Sequence, residues 1–237
     1  MLKIRAINVR SACLIVLAIV GACAAAASAS AADCAHLPAS TLRIHDIRLS
    51  VPEVFRVPAD TLDRILPEDQ LGSRHTLMFT TANVVTVTEI RHRIVPQTDG
   101  SVCDAPSLVR IGVGAGRRAA YLERDAAADE CVRQEMLAHE EAHNRSFNET
   151  VDRFIEQRAT EFRQGMVALK QMPTPSAQVA KTRWEAGLHA MIVEAMPQLL
   201  RQIRAADARI DDVPTLTALS QSCGGKIRQL QEESNGL

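Results

Sequence analysis

The sequence predicts an α+β chain, with an antiparallel sheet in its N-terminal half and two long helices after it. Three observations carry this. From residue 40 to Glu123 the chain is rich in Val, Ile and Thr at period-two spacing; from Asp125 to Gln164 it runs without Gly or Pro; and Met172-Pro173-Thr174-Pro175 cannot lie inside a helix. A β-rich part at 32–124 and a helical part at 125–237 then form one domain, preceded by a segment at 1–31 of another kind.

That segment has Lys3, Arg5 and Arg10 ahead of a short apolar stretch, Ser11 to Ala22, followed by small residues with overlapping A-x-A sites at Ala27-Ser28-Ala29 and Ala29-Ser30-Ala31. This is the pattern of a secretory signal peptide, and the stretch is too short to span a bilayer. Val20-Gly21-Ala22-Cys23 offers another exit, lipidation at Cys23, since it is similar to a lipoprotein cleavage site with Val in place of the usual Leu. Both routes place the mature chain outside the cytoplasm, in the periplasm, the envelope or the medium. No later segment reads as a transmembrane span.

The strands are marked by Leu42 and Ile44; Ile47, Leu49 and Val51; Val84, Thr86, Thr88 and Ile90; and Val109, Ile111 and Val113. Turn signals at Pro52, Pro58, Leu71-Gly72-Ser73, Pro96 and Asp99-Gly100 separate four to six short strands. Gly112-Val-Gly-Ala-Gly116 imitates a phosphate loop but lacks the Lys-Ser/Thr that would complete one, and reads as a turn between strands. The first helix covers the run from Asp125. The second starts near Ser176 and contains Pro197, a potential kink. After Pro214 comes a short tail that Cys223-Gly224-Gly225 interrupts.

The formal charge is −1. Lys3, Arg5 and Arg10 are the only charged residues before Asp33, so without them it falls to −4. A mildly acidic chain excludes a dominant nucleic-acid footprint. Aromatic residues make up only 3%, too few for a platform that stacks bases or sugars. Of six cysteines, Cys13 and Cys23 fall in the leader. The remaining Cys34, Cys103, Cys131 and Cys223 suit two bridges in an oxidising compartment. Of three pairings the reading favours Cys103–Cys131, tying a loop to the start of a helix, with Cys34–Cys223 joining the chain ends. A four-cysteine zinc site is disfavoured because no C-x-x-C pair exists.

The segment with chemistry is His139-Glu140-Glu141-Ala142-His143. Residues four apart lie on one helix face, so two imidazoles at this spacing can share one Zn²⁺, while Glu140 is offset and free to reach a water on the metal. Val132, Met136, His139, His143, Phe147 and Val151 recur at helical spacing, which places both histidines inside an apolar stripe. Imidazoles buried there need partners, and a shared metal supplies one.

His139, Glu140 and His143, on a helix that follows a β-rich segment, resemble the active helix of the zincin metallopeptidases. The secreted, disulfide-bearing layout is similar to bacterial proteins described as secreted zinc-dependent proteases. The resemblance implies that His139 and His143 bind Zn²⁺, that Glu140 is the general base, that the reaction is hydrolysis of peptide bonds in a peptide or protein, and that a sheet-edge strand holds the substrate backbone. Arg118 to Glu123 is the nearest candidate for that strand. The alternative is a non-catalytic envelope protein, a degenerate zincin or a lipid-anchored interaction module, that uses its helical half to bind a partner.

A catalytic zinc takes three protein ligands. The metzincin pattern would put the third at residue 149 with Gly at 146; this chain has Glu149 and Ser146, so Glu149 could ligate only if the helix breaks near Asn144, Ser146 and Asn148. The gluzincin pattern points to a later helix, where Glu185 and His189 are the candidates. Two straight helices paired about Pro173 would instead bring residues near Asp207 beside His143. His36, His45, His75 and His92 read as ordinary surface or satisfied histidines.

Overall fold

A computed structural model describes residues 2–4, 34–48, 53–65, 76–170 and 172–233. Most of the leader expected at 1–31, including Cys23, and the turn at 71–73 lie outside the described residues.

Two long strands form the spine of the sheet. β4 (Met78–Arg91) and β7 (Leu108–Glu123) pair antiparallel from Met78↔Leu122 to Arg91↔Leu108, with a shift of register between Ala82 and Val84. β7 is 16 residues long, enough to carry two short strands end to end on its other edge. These are β2 (Thr41–Ile47) and β3 (Glu53–Val57), and both run parallel to it. β1 (Leu2–Ile4) lies along the outer edge of β4, giving the order β1-β4-β7-β2 with β3 also on β7. The sheet is therefore mixed. Alternation marks a half-buried strand in either direction, so the sequence pattern could not separate parallel from antiparallel neighbours. A small hairpin, β5 (Ile94–Pro96) with β6 (Val102–Asp104), fills the connection from β4 to β7, and helix α1 (Ala59–Ile65) follows β3.

Gly112-Val-Gly-Ala-Gly116 is not a turn but the middle of β7. Its alternate residues Ile111, Val113 and Ala115 face the core, and the glycines face the other way. Gly114 is needed for close approach: a Cβ there would stand 2.2 Å from the carbonyl oxygen of Ile47 on β2.

After α2 (Arg124–Ala128), α3 (Glu130–Lys170) and α4 (Ala177–Ile210) make an antiparallel pair. Ser176 caps α4, its hydroxyl accepting from the Val179 N–H, and Thr174 in the turn exchanges backbone hydrogen bonds of 2.8 and 2.9 Å with Val102. α3 does not break at Asn144, Ser146 and Asn148. Its stripe continues through Phe147, Val151 and Phe154 into a core shared with Val109 and Ile111 of β7 and Trp184, Leu188, Leu199 and Ile203 of α4. Such packing outweighs weak intrinsic propensity. Trp184 is fully buried and donates through Nε1 to the Asp104 carbonyl at 3.0 Å.

The tail forms α5 (Val213–Gln221) and α6 (Lys226–Glu233), separated by Cys223-Gly224-Gly225 with positive φ at all three. Ile227 and Leu230 of α6 pack with Leu77, Leu122, Val132 and Met136 in a second cluster at the start of α3.

The disulfides are Cys34–Cys103 and Cys131–Cys223, which corrects the pairing expected from the sequence. The reason is the length of α3. Cys103 neighbours Val102, which is bridged to Thr174 beyond the far end of α3, whereas Cys131 is in its first turn. At 1.5 Å per residue those ends are about 60 Å apart. Cys103 therefore meets Cys34, where Leu37 also accepts from Lys170 at 2.7 Å, and Cys131 meets the returning tail at Cys223. Among the described residues no helix is long and apolar enough to cross a membrane. The bridges fit an extracytoplasmic chain.

Candidate metal centre

The α3/α4 pairing builds the site. His143 and Asp207 lie 32 residues either side of Pro175, and His139 and Asp211 lie 36 residues either side. Two straight antiparallel helices must therefore set each pair side by side. Asp211 is the C-cap of α4, and Asp212, which follows it, caps α5 by accepting from the Thr215 N–H at 2.8 Å.

Three donor atoms converge. Asp211 Oδ1 lies 3.1 Å from His139 Nε2 and 3.0 Å from His143 Nε2, and the two Nε2 atoms are 3.2 Å apart. On its other side His143 places Nδ1 3.1 Å from Asp207 Oδ1. His143 is buried, His139 and Asp211 partly so. These are the residues that could hold a metal ion.

Burial pulls the His143 pKa down, but hydrogen bonds to Asp207 and Asp211 outweigh it and raise the value to about 9. Burial likewise pushes Asp211 up, and its bonds to His139 and His143 more than reverse this, holding it well below the usual carboxylate range. Hydrogens cannot satisfy the whole cluster. Carboxylates only accept, so each Nε2 facing Asp211 must carry a hydrogen, and the Nε2–Nε2 contact then lies between two donors. One cation in place of those hydrogens removes the conflict. Zinc bonds of 2.0–2.1 Å at tetrahedral angles put ligand atoms about 3.3 Å apart, close to the three separations observed. With an ion bound, Asp207 on Nδ1 would be the carboxylate behind a ligating histidine that such sites commonly have.

Glu140 is buried beside this triad but is not one of its donors. Its Oε1 accepts from Arg118 Nη2 at 2.6 Å, and its Oε2 accepts from the Thr80 hydroxyl at 2.8 Å. Arg118, on β7, also bonds Asn144 through Nη1. A cleft of about 280 Å³ opens onto His139, Glu140, Asp211 and Thr80, between β4, α3 and the α5–α6 tail. Its remaining walls are mostly aliphatic: Leu77, Met78, Met136, Leu216, Leu219 and Ile227.

His139, Glu140 and His143 thus meet at one site, as their spacing predicts. The candidates for a third ligand do not join them. Glu149, Glu185 and His189 are all exposed: α3 runs straight past Glu149, and Glu185 and His189 sit about five to six turns before Asp207 on α4. Asp211 stands in their place. Arg118 to Glu123 is not an edge either, because that stretch of β7 is paired on both sides, to β4 and to β3; on the other side of β4, Thr80–Ala82 is covered by β1. His45 is exposed, His36 is exposed with a partner, and His92 holds the buried Asp104 at 2.5 Å. His75 lies outside the described residues.

Asp207, Asp211, Arg118, Thr80 and Asn144 are the residues that motif reading alone misses. The signal for the two aspartates was their symmetry with the histidines about the Pro173–Pro175 turn. Nothing in the sequence marked Arg118 or Thr80 as a partner of Glu140, because those contacts depend on sheet register. No family model, curated protein or solved structure matches this chain.

Proposed function

We propose that this chain is a zinc-dependent hydrolase of peptide bonds that works in the bacterial envelope or outside the cell. The observation that carries the reading is the convergence of His139, His143 and Asp211 donors beside a cleft that Glu140 also lines.

His139, His143 and Asp211 would hold the ion, with Asp207 fixing His143 so that Nε2 is presented. Bound Zn²⁺ supplies two things at such a site, an acidified water and polarisation of the scissile carbonyl. Glu140 would accept the proton at a carboxylate oxygen and return it to the leaving amine. The aliphatic cleft excludes water from an apolar substrate side chain. The edge of β4 that passes Glu140 carries an extended segment, Leu2–Ile4, in parallel register. That segment belongs to the expected leader, and a substrate backbone would take the same edge by strand addition once it is removed. The disulfides and the aliphatic cleft are consistent with an extracytoplasmic peptide or protein substrate.

One observation favours the second reading, a metal-binding envelope protein without catalysis: both oxygens of Glu140 are already engaged, by Arg118 and Thr80. Activity separates the two. Zinc-loaded protein incubated with a mixed peptide library, analysed by mass spectrometry, should yield new termini. Glu140→Gln should retain the metal and lose about 10²-fold or more in rate. Full activity in Glu140→Gln, or no cleavage by the zinc-loaded wild type, would overturn the hydrolase reading.

A further inference from the structure

Glu140 and Asn144 form an i, i+4 pair on α3, one residue on from the His139/His143 pair. Arg118 reaches both with its two terminal nitrogens, Nη2 to Glu140 Oε1 and Nη1 to Asn144 Oδ1, and Thr80 holds the other Glu140 oxygen from β4. The side chains of Arg118 and Glu140 are only 1% and 8% exposed. Stability does not explain such a pair. Two charges removed from water recover little more than their desolvation cost, and apolar residues of similar size often do as well. The buried Nε of Arg118 has no partner, a further cost of keeping a guanidinium there.

We infer that Arg118 is a positioning residue that draws the Glu140 carboxylate away from the His139–His143–Asp211 donors and so keeps a coordination position open. This rests on the reading that a metal binds at those donors. A carboxylate is itself a competent zinc ligand, and one that swung from its offset position beside His139 onto the ion would turn a catalytic site into a closed structural one. The two-armed restraint by Arg118 and the hydrogen bond from Thr80 oppose that collapse. Lysine, a single point of charge, cannot span both acceptors.

The test uses Co²⁺ as the probe metal and its visible absorption as the readout. Wild type, Arg118→Leu, Arg118→Lys, Thr80→Val and the double variant Arg118→Leu/Glu140→Ala are compared, with peptide hydrolysis measured alongside. Arg118→Leu should alter the cobalt bands and lower kcat about 10²-fold with KM little changed; Arg118→Lys should fall between it and wild type. The double variant should recover the wild-type bands, because the intruding carboxylate is gone. If Arg118→Leu does not fold, Thr80→Val carries the test, with a smaller change of bands that Glu140→Ala reverses. Unchanged bands in cobalt-loaded Arg118→Leu and Thr80→Val, or altered bands that persist without the Glu140 carboxylate, would overturn the inference. A wild type that takes up no Co²⁺ would instead overturn the metal reading beneath it.

Discussion

His143 between Asp207 and Asp211 makes the stability of the metal-free protein depend on pH in a direction that can be worked out. Its pKa is raised to about 9 in the folded chain, against an ordinary value of 6.5. The folded state therefore holds this proton more tightly than the unfolded one. The contribution is complete below pH 6.5, declines above it, and is gone once pH has passed 9. A shift of this size corresponds to about 3 kcal/mol. The opposite shift of Asp211 is the same interaction seen from the other partner, so it is not added. Urea unfolding in the presence of a chelator, followed by the fluorescence of Trp184, measures it. The difference between wild type and His143→Gln should shrink by about 3 kcal/mol between pH 6 and pH 9.5. Asp207→Asn should remove part of the slope, because one of the two partners that raise the pKa loses its charge. A difference that stays flat, or grows with pH, would refute the assignment of His143 as a doubly hydrogen-bonded imidazolium.

Other expectations follow from the core and the tail. Trp184→Ala empties the centre of the sheet–helix interface and unpairs the Asp104 carbonyl, so it should cost about 3–5 kcal/mol in denaturant unfolding monitored by circular dichroism. Gly114→Ala sets a methyl group against the backbone of Ile47 and should cost about 1–3 kcal/mol in thermal or urea unfolding, by forcing β2 off β7. Non-reducing peptide mapping should recover Cys34–Cys103 and Cys131–Cys223. Loss of the second bridge in Cys223→Ser should lower stability by about 2–4 kcal/mol and raise hydrogen exchange in α5–α6, whose Leu216, Leu219 and Ile227 line the cleft.

Much of the helical half could be read in the chain. The stripe from Val132 to Val151 fixes which face of α3 is buried, and it places His139 and His143 together. Met172 to Pro175 fixes the turn, and counting outward from it puts Asp207 opposite His143. Motif templates pointed elsewhere, to Glu149, Glu185 and His189, because they carry the third ligand of other folds at spacings this helix pair does not share. The packing of Phe147, Val151 and Phe154 keeps α3 straight and leaves Glu149 in solvent, and Glu185 and His189 stand in solvent on α4, about five to six turns before Asp207. The sheet was legible only as alternation. Alternation gives the face of a residue but neither strand direction nor register, so β2 and β3 beside β7 were hidden, and with them the Arg118–Glu140–Thr80 contacts. The disulfides followed the same rule: their pairing depends on which end of a helix about 60 Å long each cysteine occupies.

We propose that His139, His143 and Asp211 together hold one metal ion. Elemental analysis of protein purified from the periplasm, without chelator, tests it most directly. Wild type should carry about one zinc per chain. His143→Ala and Asp211→Ala, folded by circular dichroism, should carry almost none, while Glu149→Ala, Glu185→Ala and His189→Ala should match wild type. Wild-type protein that stays metal-free after incubation with Zn²⁺, or an Asp211→Ala variant that binds it as tightly as wild type, would contradict the account.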